Sequence, residues 1–376
     1  MDEHVRGEFP VTDSLVYLNS AALGPSPLCV RRCGEEFIQR QSLGLAGSAE
    51  DWIGMMNRVR ERLARFIGAA DEEVAFTRNT SEGTNLVAGS LDLDARDNVV
   101  GDDLDHPSNR IIWNYYARQK GFEYRVVPSR KGALTMADFE RRVDRNTRII
   151  SVSLVSFRNG FRHDVAALGD LARTRGAFLL VDAIQGLGAL SFDVRTAGID
   201  FLTCGAYKWL LGSIGLGFFY ARAGLLERIR PLERGWMQVM EWDRSCDEPA
   251  LYSSARKVES GTLNFQGVAE LGESVGYLEK IGLTAVEEHI LRLRNRLYEG
   301  LTALGYDLVT PQAARSGIVT CLADDAEGAE EELRTRGIVV TVRNGQIRFS
   351  PHLFNNLDDI DRALAAMKEL RAKTGE

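Results

Sequence analysis

The stretch "DFLTCGAYKWLLGSIGLGFFY", Asp200 to Tyr220, decides how the rest of the chain is read. It sets one lysine, Lys208, between two strongly apolar runs, with Gly212, Gly215 and Gly217 behind it. Burying an ammonium without a partner is costly enough to shift its pKa instead. Lys208 therefore either snorkels to water or is held in place for chemistry. The flanking runs "DFLTC" and "LGFFYA" have strand composition, so "GSIGLG" predicts a tight turn that returns the chain to its sheet. It is not a dinucleotide loop, because it precedes a strand instead of joining a strand to a helix.

Outward from this stretch, short β-branched or aromatic runs alternate with helical patterns over residues 70 to 225. The runs are "EVAFTR" (73–78), "NVV" (98–100), "YRVV" (124–127), "RIISVSLV" (148–155) and "AFLLVD" (177–182). In "DVAALGDLARTRG", Val165, Leu168 and Leu171 keep a helical spacing and Gly176 suits the stop. Such alternation predicts an α/β fold, a mostly parallel seven-stranded sheet with helices on both faces. Functional groups then gather at the carboxyl ends of the strands. After about residue 265 come two long helical patterns, the short strands "IVTCLA", "IVVTVR" and "QIRFSP", and an amphipathic helix from near Asn356 carrying Ile360, Leu364, Met367 and Leu370 on one face. This predicts a large domain over 16–260 and a smaller α+β domain built from 1–15 and 261–376.

Composition narrows the function classes. Of 376 residues, 44% are hydrophobic and 26% charged, the balance of an ordinary globular protein. A net charge of -7 argues against a generally basic nucleic-acid surface. No apolar run approaches the roughly 18 to 20 residues of a membrane span. The start "MDEHVRGEFP" lacks the order of a signal peptide. Cys29, Cys33, Cys204, Cys246 and Cys321 form no CxxC pair and read as reduced thiols, which predicts a cytoplasmic protein. The histidines His4, His106, His163, His289 and His352 are scattered, so no metal site is expected.

Three features carry chemistry. After "EVAFTR" comes "NTSEGTNLVAGSL", where Asn79 and Glu82 have capping-box spacing, Gly83 permits close backbone approach, and Thr80 and Ser81 put hydroxyls beside the free N–H groups of a helix start. Such a start is a competent phosphate cradle, and equally an ordinary helix cap. "LLVDAIQGLG" leaves Asp182 at the end of a buried strand, followed by Gln185. The next strand ends near Lys208. An amine, a carboxylate and anion donors around one crevice are the three requirements of pyridoxal 5′-phosphate (PLP): a Schiff-base lysine, an acid for the pyridine nitrogen, and a phosphate site.

At this point the sequence resembles the class V aminotransferase family of fold-type I PLP enzymes, which contains cysteine desulfurases, isopenicillin-N epimerase and kynureninase. The resemblance runs through "YLNSAALGP" (17–25), "NTSEG", "DHPSN" (105–109), "VDAIQ" (181–185), "GAYKW" (205–209), "ESGTLNF" (259–265) and "IRFSPHLFNN" (347–356). It implies that Lys208 forms the Schiff base and moves the substrate Cα proton. It further implies that Asp182 partners the pyridine nitrogen, Gln185 contacts the ring 3′-oxygen and His106 stacks on the ring. Thr80, Ser81 and Tyr207 would hold the phosphate, joined by Thr262 from the partner subunit of a homodimer. Arg348 would grip the substrate carboxylate, a task that suits a planar guanidinium.

The same resemblance implies an enzyme that passes through an external aldimine and Cα deprotonation, by transamination or by β- or γ-elimination of the C–S lyase type, on a small amino acid or amino-acid derivative. The alternatives are an epimerase of the isopenicillin-N epimerase type and a PLP-binding protein without catalysis. Three departures qualify the match. Tyr207 stands where these relatives usually have histidine, beside Gly205. Phe157 replaces a common asparagine, for which Asn159 and Ser156 are the candidate substitutes. Cysteine desulfurases carry a nucleophilic cysteine on a loop before the carboxylate-binding arginine, whereas here the chain runs "TVRNGQIRFSPH", and Cys204 and Cys321 lie in apolar strand runs. The expectation is therefore that the chain is not a persulfide-forming cysteine desulfurase.

Overall fold

The computed structural model describes residues 3–45, 47–240 and 249–374, so Cys246 lies outside the described residues. The strands, in chain order, are β1 (Val16–Tyr17), β2 (Val74–Thr77), β3 (Asn98–Asp102), β4 (Glu123–Val127), β5 (Thr147–Ser153), β6 (Phe178–Asp182), β7 (Phe201–Gly205), β8 (Gly217–Ala221), β9 (Val319–Leu322), β10 (Ile338–Val339), β11 (Thr341–Arg343) and β12 (Gln346–Phe349).

Seven of them form the main sheet in the order β2-β8-β7-β6-β5-β3-β4. Each of the seven runs read from the sequence supplies one of these strands. Only β8 runs against its neighbours β2 and β7, and the other pairings are parallel. Consequently Thr77, Asp102, Ser153, Asp182 and Gly205 all close their strands on one edge, where an α/β sheet presents its ligand crevice.

The pleat sends successive side chains to opposite faces. Val152, Val181 and Leu202 enter one apolar core, with Leu168 and with Leu271 and Val275 of the helix Phe265–Ile281. Ile149, Leu180 and Phe201 enter the other, with Leu86 and Val87 of the helix Thr80–Ser90 and Ile112 and Trp113 of the helix Pro107–Lys120. The helix Val165–Arg175 lies where its spacing predicts and stops at Gly176, which takes φ 68°. Close packing over β7 depends on Gly83, since a Cβ there would sit 2.6 Å from Thr203 Cγ2.

Beyond the sheet, β11, β12 and β9 form a three-stranded antiparallel sheet, while β10 pairs in parallel with β1. The run "IVVTVR" is thus not one strand. It changes partners at buried Val340, because its first half has β1 beside it and its second half turns into the hairpin with β12. Val16 and Leu18 share a core with Leu293, Leu297, Ile360 and Met367, which ties the start of the chain to the C-terminal helices. Asn344 and Gly345, at φ 52° and 69°, make the two-residue turn between β11 and β12. Among the described residues no helix is long and apolar enough to cross a membrane.

Candidate active site

Lys208 follows β7 at the carboxyl edge and is 9% exposed. Burial lowers its pKa to about 8, opposed by the charge of Asp182 and reinforced by Arg348 and Arg343. Among the described residues its Nζ makes no hydrogen bond, and it lies 5.6 Å from the Tyr207 ring centroid.

The backbone around this lysine is clamped. Gly24 N donates to Tyr207 O at 2.9 Å, and Leu211 N donates to Lys208 O at 3.1 Å. Leu211, fully buried, holds φ 60°, a left-handed conformation that costs about 1–2 kcal/mol in a leucine. His352 closes the clamp: its Nδ1 accepts Leu353 N at 2.6 Å, which leaves Nε2–H to donate to Trp209 O at 3.0 Å. Burial lowers the His352 pKa to about 4, so the ring works as a neutral donor. A Cβ at Gly24 would stand 1.9 Å from Lys208 O, a backbone atom unable to yield. Gly24→Ala is accordingly expected to destabilise the protein by about 1–3 kcal/mol, checked by thermal unfolding.

Asp182, 5% exposed, faces the same crevice from the end of β6. Its carboxylate accepts Ile184 N at 3.0 Å and Asn109 Nδ2 at 3.1 Å. Burial raises its pKa, and those two donors together with Lys208 oppose the rise. Asn109 also donates to Asp105 Oδ1 at 3.0 Å and accepts from Thr84 at 3.2 Å. Asp105 is pushed up by burial and by Asp102. This Asp105–Asn109–Asp182 chain went unread in the sequence. Its one signal is that Asp105 and Asn109 stand four residues apart across the start of a helix.

The remaining candidates fall as follows. Thr80 and Ser81 open the helix after β2, where the first N–H groups have no intrahelical partner. Thr80 Oγ1 is buried without a hydrogen bond, and a Cβ placed at Gly205 would find it 3.5 Å away. Only half the expected capping box forms: Asn79 accepts Glu82 N at 3.0 Å, but the Glu82 carboxylate turns to Arg78 N at 2.6 Å. Gln185 spends its carbonyl on Trp209 Nε1 at 2.8 Å and one amide N–H on Ala21 O at 2.9 Å, leaving one N–H.

His106 is half-buried, its Nδ1 accepts Ser108 N at 3.3 Å, and its ring stands edge-on to Phe157 at 4.9 Å. Burial and then Lys208 lower its pKa to about 4. Tyr207 is half-buried beside Lys208, and burial raises its pKa. Thr262 is exposed and its hydroxyl accepts Trp236 Nε1 at 3.3 Å. Of the two candidate substitutes for the replaced asparagine, Asn159 donates to Gly132 O and accepts from Phe161 N, and Ser156 donates to Leu104 O and accepts from Arg158 N.

Arg348 on β12 is 6% exposed and gives Nη1 to Phe157 O at 2.8 Å, while its Nε is buried and unpartnered. Burial and then Arg343 lower its pKa to about 10. It lines a pocket of about 180 Å³ with Phe157, Asp105 and Arg343. Cys204 and Cys321 are fully buried and their thiol pKa values are raised by burial, that of Cys321 to about 12. Among the described residues no group of side chains could hold a metal ion.

Residues 16–360 match the family model "Aminotransferase class-V". A probable cysteine desulfurase of Methanothermobacter thermautotrophicus is 34% identical over 80% of this chain and 76% of its own. The apo structure of a cysteine desulfurase from Thermococcus onnurineus superposes with a TM-score of 0.91 at 27% identity, covering 99% of this chain and 98% of that one. A structure of the protein C-DES, with glycine covalently linked to its PLP cofactor, shares the fold with a TM-score of 0.90 at 20% identity, over 97% and 99% of the two chains.

These relatives overturn the expectation that the chain is not a persulfide-forming cysteine desulfurase. That inference took the missing cysteine at the Asn344–Gly345 hairpin as evidence about the reaction. The hairpin shows only where one thiol is not. Chains named cysteine desulfurase match this one along most of its length.

Proposed function

Because the chain belongs to the aminotransferase class-V family, we propose that it breaks the C–S bond of a small sulfur-bearing α-amino acid with PLP as cofactor. PLP is the cofactor of this family, and the residues present fit it. Thr80 Oγ1 is an orphaned buried hydroxyl at a helix start, Lys208 carries an amine of depressed pKa without a hydrogen bond, and Asp182 is a buried carboxylate whose charge acts on Lys208.

When bound, the cofactor supplies an aldehyde carbon for an amine and a ring that takes up electron density released at Cα. Lys208 Nζ removes the Cα proton and can return it, for which a pKa near neutrality is suited. Asp182 keeps a negative charge against the ring nitrogen. Thr80, Ser81 and Tyr207 would hold the phosphate, His106 would pack against the ring, and the remaining Gln185 N–H would serve the 3′-oxygen. Arg348 orients the substrate by its carboxylate. Thr262, exposed in one subunit, completes the phosphate site of the other in a homodimer.

The observation that carries this reading is Lys208, a buried amine of pKa about 8 held beside Asp182 in a chain whose relatives bear the name cysteine desulfurase. The holoenzyme supplied with L-cysteine is expected to release the sulfur, either directly as sulfide with pyruvate and ammonia as the other products, or onto an added thiol as a persulfide, reducible to sulfide, with alanine as the organic product. Amino-group exchange with a keto acid and no sulfur release would overturn it in favour of a transaminase.

A further inference from the structure

Asp182 is one of three buried carboxylates gathered at the carboxyl edge of the sheet, with Asp102 at the end of β3 and Asp105 three residues beyond it. Equally buried acids elsewhere meet an arginine, as Glu259 meets Arg60 at 2.7 Å and Asp359 meets Arg6 at 2.7 Å. Among the described residues Asp105 forms no ion pair. Asp102 has only the buried His163, whose Nε2 lies 3.2 Å from Asp102 Oδ2 with no hydrogen bond between them. Ionised together, the three would keep unpaired charge out of water, a state that buried carboxylates escape by taking up a proton.

The hydrogen bonds of Asp105 are lopsided. Its Oδ1 accepts Ser153 Oγ at 2.6 Å, His106 N at 2.8 Å and Asn109 Nδ2 at 3.0 Å, whereas its Oδ2 is buried with no donor. One oxygen saturated and the other bare is the pattern of a neutral acid, in which the first is a carbonyl and the second carries the hydrogen. Burial, and then the charge of Asp102, raise this carboxyl to about 7. From β4 it is faced by Tyr124, whose hydroxyl is buried without a partner and feels both acids. From the pocket side Asp103, Arg110, Arg158, Arg343 and Arg348 face it, and none of these arginines pairs with it among the described residues. The two acids bridged by Asn109 therefore differ in their neighbours: Asp105 has the charge of Asp102 beside it, and Asp182 has that of Lys208.

We propose that this cluster holds one proton at neutral pH and holds it on Asp105. Asp102 and Asp105 are then positioning residues. They keep the acid behind Asn109 neutral, so that the negative charge stands on Asp182, the carboxylate that faces the cofactor ring. The proposal rests on the reading above only in placing that ring at Asp182.

The test is infrared difference spectroscopy of the holoenzyme titrated across neutrality, which sees a buried protonated carboxyl directly. A band that shifts on isotopic labelling of the aspartate carboxyls is expected below about pH 7 and lost above it. It should be absent from Asp105→Asn. No such band in the unaltered enzyme would overturn the proposal, as would one that survives in Asp105→Asn. Asp102→Asn removes the neighbouring charge, so the band should fade about one pH unit lower; an unmoved band would overturn the role of Asp102. The effect on the ring is read in the apoprotein, as the ratio of affinities for PLP and for an analogue with C–H in place of the ring nitrogen, to which a charge on Asp182 is of no use. Asp102→Asn lets Asp105 compete for that charge and should lower the ratio about threefold, whereas an unchanged ratio would reduce the pair to a structural one. The C–S cleavage reading fails separately, by absence of sulfur release from L-cysteine, and its failure leaves the infrared band in place.

Discussion

Lys208→Ala is expected to lower kcat/KM by about four orders of magnitude and to remove the visible absorbance of lysine-bound cofactor. Burial poises the amine for both of its tasks. With a pKa of about 8, roughly one Lys208 in ten is neutral at pH 7, against about one in three thousand for a lysine at its ordinary 10.5. Only the neutral amine attacks an aldehyde or accepts a proton. Cofactor capture by the apoprotein should therefore rise about tenfold per pH unit up to about pH 8 and then level off. A rise continuing to pH 10 would mean that Lys208 is solvated in solution.

The same depression acts on stability, with a definite sign. The folded amine releases its proton at a lower pH than the unfolded one, so the unfolded chain binds more protons between about pH 8 and 10.5. The penalty is complete below pH 8 and relieved as pH rises towards 10.5. Lys208→Met should then stabilise the apoprotein at pH 7 by up to about 3 kcal/mol, a gain that vanishes above pH 10.5. Loss of activity with a gain in melting temperature separates a functional lysine from a merely structural one.

Lys208 and Asp182 were legible in the sequence for one physical reason: each is a charge at the end of a run long and apolar enough to be a buried strand. The seven strands of the main sheet were legible because strands covered on both faces are continuous apolar runs. Where apolarity ran on without a break, as in residues 338–343, the change of partner at Val340 left no mark, since both pairings bury the same residue types. Asn109 and His352 escaped because their contacts, with Asp182 and with the Trp209 carbonyl, join positions 73 and 143 residues apart. Neither a helical nor a strand period reports such a contact. The hairpin differs: the thiol missing from residues 341–348 is a local fact, while relatives named cysteine desulfurase match the chain along most of its length.

Asp182→Asn is expected to reduce kcat/KM by about 10²–10³ while leaving the melting temperature nearly unchanged. Asparagine keeps the shape of the side chain and an acceptor for one of Ile184 N and Asn109 Nδ2; the other donor is left facing an amide, a cost offset by removing a buried charge. Alanine is the less clean variant, because it orphans both donors and costs about 1–3 kcal/mol for each buried group left unpaired. Exchange of the substrate Cα hydrogen into deuterated solvent, read by NMR, should fall in step with turnover; exchange at the original rate would remove Asp182 from proton abstraction. Asn109→Leu probes the same charge from behind. Asn109 donates to the ionised carboxylate, so its loss disfavours that form and raises the Asp182 pKa further. The acid limb of the rate profile should move to higher pH, with activity falling more at low pH than at high. A loss of equal size at every pH would make Asn109 a packing residue and leave Asp182 to hold its charge unaided.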